Sequence, residues 1–302
     1  MNVVFENKDI ICFLGDSITA NGMWMAEVYQ SLRKNQKVKC YNCGVSGATT
    51  EKALLYLHSR CLIYNPDYVV MMFGINDINR VLYADAPYSS KCEAQKKAAL
   101  EAHKAAYEKL VEQTVAFGSK VILCVAVPYD EVNDKKEPNL HCQCAMDESG
   151  EFVRFLADKY GCALVDFKSV MQPLLTERNL ISEDRIHPTD DGYHAMAQIF
   201  LRDIGEQEVC DFDTPFVFES WNKERYDAEI SLHTVNYIEY NALLKEGYID
   251  KLTYEERKNI AAKRYAECED KEGYVGASLA DYIKKIDMFN VYMGEIIKRT
   301  LF

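Results

Sequence analysis

Ile10-Ile11-Cys12-Phe13-Leu14-Gly15-Asp16-Ser17 joins an unbroken apolar run to a glycine and then to a small polar pair. An apolar run of this length closed by glycine reads as a strand buried on both faces. Gly15 permits the sharp turn that leaves the Ser17 hydroxyl at the carboxyl end of the sheet. Apolar runs recur near 38–42, 68–73, 121–127 and 163–167, and helical stretches separate them near 23–34, 51–59, 94–117 and 148–159, with a last one near 191–204. Strands joined by helices of this length predict parallel pairing through right-handed crossovers, with helices on both faces. The expected fold is therefore a three-layer α/β/α sandwich on a five-stranded parallel sheet.

Three more motifs fall at the ends of these elements, in chain order. Asn42-Cys43-Gly44-Val45-Ser46-Gly47 follows the second strand and Gly74-Ile75-Asn76-Asp77 the third. Asp184-Arg185-Ile186-His187 precedes the last helix, whose N-terminus is signalled by Thr189 or Asp190 as cap. A serine hydroxyl is a weak nucleophile until a base takes its proton, and the base needs a group to orient it. Asp184 and His187 supply both from one loop, which makes Ser17 the candidate nucleophile. Each motif alone reads as an ordinary turn or cap. Their order, each at a strand end or just before a helix, argues for one site at the carboxyl edge of the sheet, beside the switch in strand order.

Taken together these residues resemble the SGNH (GDSL-like) hydrolase family, over a span from the first strand to the helix after His187. The resemblance implies a flavodoxin-like form of the sandwich and a nucleophile at Ser17. It further implies that Asp184 orients His187 as base, and that the Ser17 and Gly44 N–H groups with the Asn76 side-chain amide form an oxyanion hole. No catalytic position of the pattern is substituted. Such donors meet the negative charge that attack places on an ester carbonyl oxygen, and losing one costs ~10²–10³ in rate. Asp16, Asp77, Arg80 and Tyr83 are the expected substrate contacts. The activity implied is carboxylic ester hydrolysis through an acyl-serine that water resolves, with no cofactor and no metal. A short-chain O-acetyl ester of a carbohydrate or other small molecule is the expected substrate, because the loops ahead of the site are polar and tyrosine-rich and none suggests an acyl-chain channel. A lysophospholipase or thioesterase is the alternative within enzymes. A non-catalytic binding or assembly protein is the alternative from another class.

The chain has 302 residues, 48% of them hydrophobic, which suits one catalytic domain, 1–209, and an appendage, 210–302. A formal net charge of −12 argues against nucleic-acid and anionic-membrane partners, both of which select a cationic face. The first residues lack the pattern of a signal peptide, so the expected location is the cytoplasm. Eleven cysteines, an odd number with Cys12, Cys124 and Cys162 in or beside strands, read as reduced core thiols. Cys40-x-x-Cys43 and His141-Cys142-x-Cys144 lack a matching second pair at zinc spacing, so no metal site is expected.

Residues 79–91, with Arg80, Tyr83, Asp85 and Tyr88, leave the strand carrying Asn76 and should overhang the nucleophile. Residues 128–146 read as a solvated loop, with a lid or specificity wall as the functional alternative. Trp24 reads as packing for the first helix, with lining of the acyl pocket as the alternative. Past Cys210, Asp211-Phe212-Asp213-Thr214-Pro215 reads as a linker, and nine of the twenty tyrosines lie beyond it. Tyr226, Ile230, His233, Tyr237, Tyr240 and Leu244 form one helical seam, and Tyr282, Ile286, Phe289, Met293 and Ile296 another. These seams imply a helical extension buried either against a second copy, as a homodimer, or against the catalytic domain as a cap.

Overall fold

The computed structural model describes residues 3–34, 38–83, 90–133 and 141–217. Five strands form one parallel sheet in the order β2-β1-β3-β4-β5. They are β1 (Ile10–Gly15), β2 (Lys39–Asn42), β3 (Tyr68–Met72), β4 (Lys120–Val125) and β5 (Ala163–Asp166). The order reverses between β1 and its two neighbours, as in flavodoxin-like sheets, and such a switch opens a crevice at the carboxyl ends of the strands. The register sets Phe13 of β1 opposite Val70 of β3, and Gly15 opposite Met72.

Alternation along each strand divides the core into two layers. Ile11, Phe13, Val70, Met72, Ile122, Cys124 and Val165 face one side, where α2 (Met23–Leu32), α6 (Phe167–Leu174) and α7 (Asp190–Asp203) cover them. Cys12, Leu14, Val69, Met71, Leu123 and Val125 face the other, under α3 (Thr50–Tyr56), α4 (Ser90–Phe117) and α5 (Cys142–Tyr160). Trp24 of α2 is buried, with edge-to-face contacts to Phe13, Phe167 and Phe200 at centroid distances of 5.2, 5.7 and 5.5 Å. It packs the layer, as its sequence setting indicates.

Every expected strand is present, and the departures fall among short or unsignalled elements. A five-residue helix, α1 (Ser17–Asn21), follows β1 directly, and α6 carries Pro173 inside an eight-residue span. Neither is long enough to show a helical period in the sequence. The described parts of 128–146 are not a solvated loop: Tyr129 and Asp130 are buried, and α5 already begins at Cys142. Cys142, Ala145, Met146, Ser149 and Val153 make a buried stripe at helical spacing that continues the α5 face backwards. Residues 134–140 and 84–89, the tips of both pocket-shaping loops, lie outside the described residues.

The segment expected as a linker stays on the catalytic domain as far as it is described. Cys210, Phe212 and Phe216 pack against the α2/α7 layer. Gln30 donates to the Val217 carbonyl at 2.9 Å, and Arg178 to the Phe212 carbonyl at 3.1 Å. The two expected helical seams and the homodimer surface lie outside the described residues. Among the described residues no helix is long and apolar enough to cross a membrane.

Candidate active site

Ser17 is the first residue of α1, and Asp16 is its N-cap, accepting the Ile18 N–H at 2.9 Å. The strand-to-helix turn is thereby fixed from below. As the first helical residue, Ser17 has an N–H with no intrahelical acceptor.

His187 reaches Ser17 from a closed loop. Ile181 and Pro188 form an antiparallel bridge, Ser182 N–H donates to the His187 carbonyl at 2.7 Å, and Thr189 N–H donates to Leu180 at 3.0 Å. Inside that ring Asp184 Oδ1 accepts from Ser182 Oγ, Ile186 N–H and His187 N–H at 2.7, 3.0 and 2.9 Å. Asp184 Oδ2 lies 2.5 Å from His187 Nδ1, and His187 Nε2 lies 2.7 Å from Ser17 Oγ. Hydroxyl, imidazole and carboxylate therefore form one continuous hydrogen-bonded line. Partial burial opposes charge on Asp184, but the bonds from His187, Ile186 and Ser182 outweigh it and hold the carboxyl well below the usual carboxylate range. Arg185 takes a left-handed φ of 69°, a conformation that costs a non-glycine residue about 1 kcal/mol or more. Its guanidinium donates to the carbonyls of Asp130 (2.6 Å) and Asn133 (3.0 Å), and Asp130 N–H donates back at 3.0 Å. The buried start of the 128–146 segment is thus a strut under the histidine loop.

The other two motifs converge on the same edge. A Cβ at Gly44 would overlap the backbone of Thr19 and Ala20, so only glycine lets this segment lie against α1. Asn42 holds that contact in place: Gly44 N–H donates to its Oδ1 at 3.0 Å, and its Nδ2 donates to the Ala20 carbonyl at 3.1 Å. In the structure the bond to Asn42 occupies the Gly44 N–H. Asn76 Nδ2 donates to the Ala48 carbonyl at 3.1 Å, which uses one of its two amide hydrogens.

The four expected substrate contacts divide into two kinds. Asp16 and Asp77 are 2% and 8% exposed and lie beneath the site as scaffold, their carboxylates engaged by Ile18 and by Thr50, so neither forms the pocket wall. Arg80 and Tyr83 are partly exposed on a short 3-10 turn, Arg80–Tyr83, with Lys96 Nζ 4.4 Å from the Tyr83 ring centre. Burial, with the neighbouring charge of Asp77, pushes the Asp16 carboxyl from 3.8 up to about 7. A carboxyl raised on folding stabilises the fold below its unfolded value, and that contribution disappears as pH rises through the folded one. The folded state then carries a cost of about 4 kcal/mol at pH 8. Urea unfolding of Asp16→Asn beside the parent should show the variant gaining relative stability from pH 5 to 8; parallel profiles would refute the shift.

The Cys40/Cys43 and His141/Cys142/Cys144 sets do not gather as ligand groups among the described residues. Cys43 instead joins Cys12 and Cys61, whose sulfurs lie within 4.8 Å of one another in the core. Burial pushes the Cys12 and Cys61 thiols up, whereas at Cys43 burial is outweighed by the hydrogen bonds with Cys12 and Cys61 and by the charge of Arg60, which bring the thiol down to about 5.

Residues 13–195, carrying all four motifs, match the GDSL-like lipase/acylhydrolase family. The chain belongs to this family. An acetylxylan esterase of Geobacillus stearothermophilus is 25% identical over 221 residues, 66% of this chain and 95% of that protein. A solved structure of that acetylxylan esterase superposes with a TM-score of 0.56 at 24% identity, covering 69% of this chain and 99% of that one. A gut microbial diltiazem-metabolizing enzyme superposes at 0.61 with 24% identity, covering 67% of this chain; the match spans about half of that enzyme, 48%. With its family, the chain is a serine carboxylic ester hydrolase.

Sequence reading missed Asn42 as the partner of Gly44, although an Asn two residues ahead of a glycine is an Asx-turn signal. It also missed Thr50 and His103, which meet Asp77 behind the site, and Ser149, which meets His103; none carries a local signal.

Proposed function

We propose that Ser17 is the nucleophile, His187 the general base and then acid, and Asp184 the orienting carboxylate in hydrolysis of short-chain O-acyl esters, with an acetylated carbohydrate as the substrate class. The observation that carries the reading is the continuous line Ser17–His187–Asp184, at 2.7 and 2.5 Å. Ser17 Oγ attacks the ester carbonyl while His187 Nε2 takes its proton; the same nitrogen returns the proton to the departing alcohol oxygen. Water, deprotonated by His187, then attacks the acyl-serine, and the carboxylic acid and the free hydroxyl of Ser17 result. Ser17 N–H, Gly44 N–H released from Asn42, and the second amide hydrogen of Asn76 receive the oxyanion in both steps. Arg80 and Tyr83 border the substrate from the turn that follows Asn76. The acetylxylan esterase likeness over 95% of that relative supports the acetyl-carbohydrate assignment. Structures of that esterase described as catalytic mutants replace a serine, an aspartate and a histidine, which supports the same three roles here. A core holding Cys12, Cys43 and Cys61 side by side and unbridged supports a reducing, cytoplasmic setting.

Acetylated xylo-oligosaccharides assayed beside p-nitrophenyl esters from acetate to palmitate test the substrate class. Highest kcat/KM on acetyl esters is expected; a maximum at long acyl chains would replace the proposal with a lysophospholipase or thioesterase activity. Asn76→Ala should lower kcat by ~10²–10³ with little change in KM, because its amide bonds most strongly as charge develops. A loss confined to KM would make Asn76 a substrate-binding group only.

A further inference from the structure

Behind Asn76 lies a buried group of four side chains that the reaction does not use: Thr50 at the start of α3, Asp77, His103 on α4 and Ser149 on α5. Asp77 Oδ1 accepts from Thr50 N–H at 2.7 Å and from Thr50 Oγ1 at 2.6 Å. His103 Nδ1 is 3.1 Å from the same oxygen, and His103 Nε2 is 2.8 Å from Ser149 Oγ. Carboxylate, imidazole and hydroxyl follow the same order as Asp184, His187 and Ser17. Yet His103 is 1% and Ser149 2% exposed, so no substrate reaches this second hydroxyl. A buried network is costly unless fully satisfied, and Asp77 Oδ2 has no hydrogen-bond partner among the described residues. A buried unpaired carboxylate oxygen in such a network calls for an explanation beyond packing.

What the network fastens together indicates its use. Asn76 bonds Ala48 and Asp77 bonds Thr50, so two successive residues of the turn after β3 are tied to the segment that runs on from Gly44. Gly74, at the root of that turn, faces α5: a Cβ there would come within 3.2 Å of Ser149 Oγ. The turn bearing the Asn76 amide is thus held to the Gly44 segment on one side, and to α4 and α5 on the other. We infer that Asp77, Thr50, His103 and Ser149 are positioning residues that set the spacing between the Asn76 and Gly44 donors and act on the transition state through Asn76. This inference rests on Asn76 being an oxyanion donor. Donors act within about 2.7–3.1 Å of the developing oxyanion. A small displacement of the amide therefore weakens transition-state binding, while the neutral ester still binds.

A double-mutant cycle separates this role from simple support of the fold. Thr50→Val and His103→Gln are each made alone and with Asn76→Ala, and kcat and KM are measured on p-nitrophenyl acetate. Each single change should lower kcat about 10-fold with KM nearly unchanged. Thr50→Ser, which keeps the hydroxyl, should retain kcat. In the Asn76→Ala background the same changes should cost less than about two-fold, because the group they position is gone. Equal losses in both backgrounds, or losses confined to KM, would overturn the inference while leaving the oxyanion assignment standing. If Asn76→Ala itself leaves kcat unchanged, the oxyanion assignment falls and takes the inference with it. Ser149→Ala removes a single buried oxygen and runs the same cycle where either larger change impairs folding.

Discussion

Ser17→Ala is expected to leave a folded protein whose kcat on p-nitrophenyl acetate is about 10⁴–10⁶-fold below the parent's. The hydroxyl is the atom that forms the acyl bond, and no other hydroxyl among the described residues is hydrogen-bonded to His187. The fold should survive because the Asp16 cap, which starts α1, uses the Ile18 N–H and leaves Ser17 out. Removing one partly exposed oxygen also creates little cavity. His187→Ala should be comparably severe, and combining the two should cost little more than either, since nucleophile and base act as a unit. Circular dichroism and thermal unfolding confirm the fold, and a stopped-time assay reads the residual rate. Turnover within 10-fold of the parent in Ser17→Ala would remove Ser17 from the mechanism.

The sandwich was legible because the central strands β1, β3 and β4 are buried on both faces, and continuous apolar runs such as Val69-Val70-Met71-Met72 have few other readings. Trp24 was legible for a related reason, since an aromatic inside the apolar stretch Met23–Met25 that opens α2 has a core to fill. The interior of the chain between strands was less so. α1 and α6 are shorter than the window in which a helical period emerges, and β5 runs into α6 with no turn residue between them. The start of α5 was hidden because Cys142 and Cys144 draw attention as thiols, while the stripe that defines the helix is completed by small Ala145 and Ser149.

At the site, sequence supplied identities, whereas tertiary structure supplied the constraints on them. The four blocks are local signals, each tied to a turn that its own residues dictate. Asp16 and Asp77 were misplaced as substrate contacts because adjacency to Ser17 and Asn76 in sequence says nothing about which way a carboxyl turns. Asp16 folds back to cap its own helix, and Asp77 turns inward to Thr50. His103 and Ser149 stand 46 positions apart on separate helices and meet only because α4 and α5 cover the same face of the sheet. Such a pairing has no spacing for a single sequence to display.

Asp184→Asn carries the second largest expected loss, ~10⁴ in kcat with KM within a few-fold of the parent. Asp184 Oδ1 has three donors aimed at it, from Ser182, Ile186 and His187 N–H, so the amide oxygen of the variant should occupy that place. The amide nitrogen then faces His187 Nδ1, where Oδ2 stands in the parent. A donor there makes Nδ1 the acceptor and puts the imidazole proton on Nε2, the nitrogen that has to accept the proton of Ser17. Geometry is preserved while the base is blocked, and the imidazolium that forms during attack also loses its counter-charge. The loop should hold, because Arg185 and the Ile181–Pro188 bridge pin it independently of the charge. Steady-state kinetics with a thermal melt check both halves of this expectation. A variant within 10-fold of the parent would mean that a neutral acceptor suffices to orient His187, and Asp184 would then be a loop-forming residue alone.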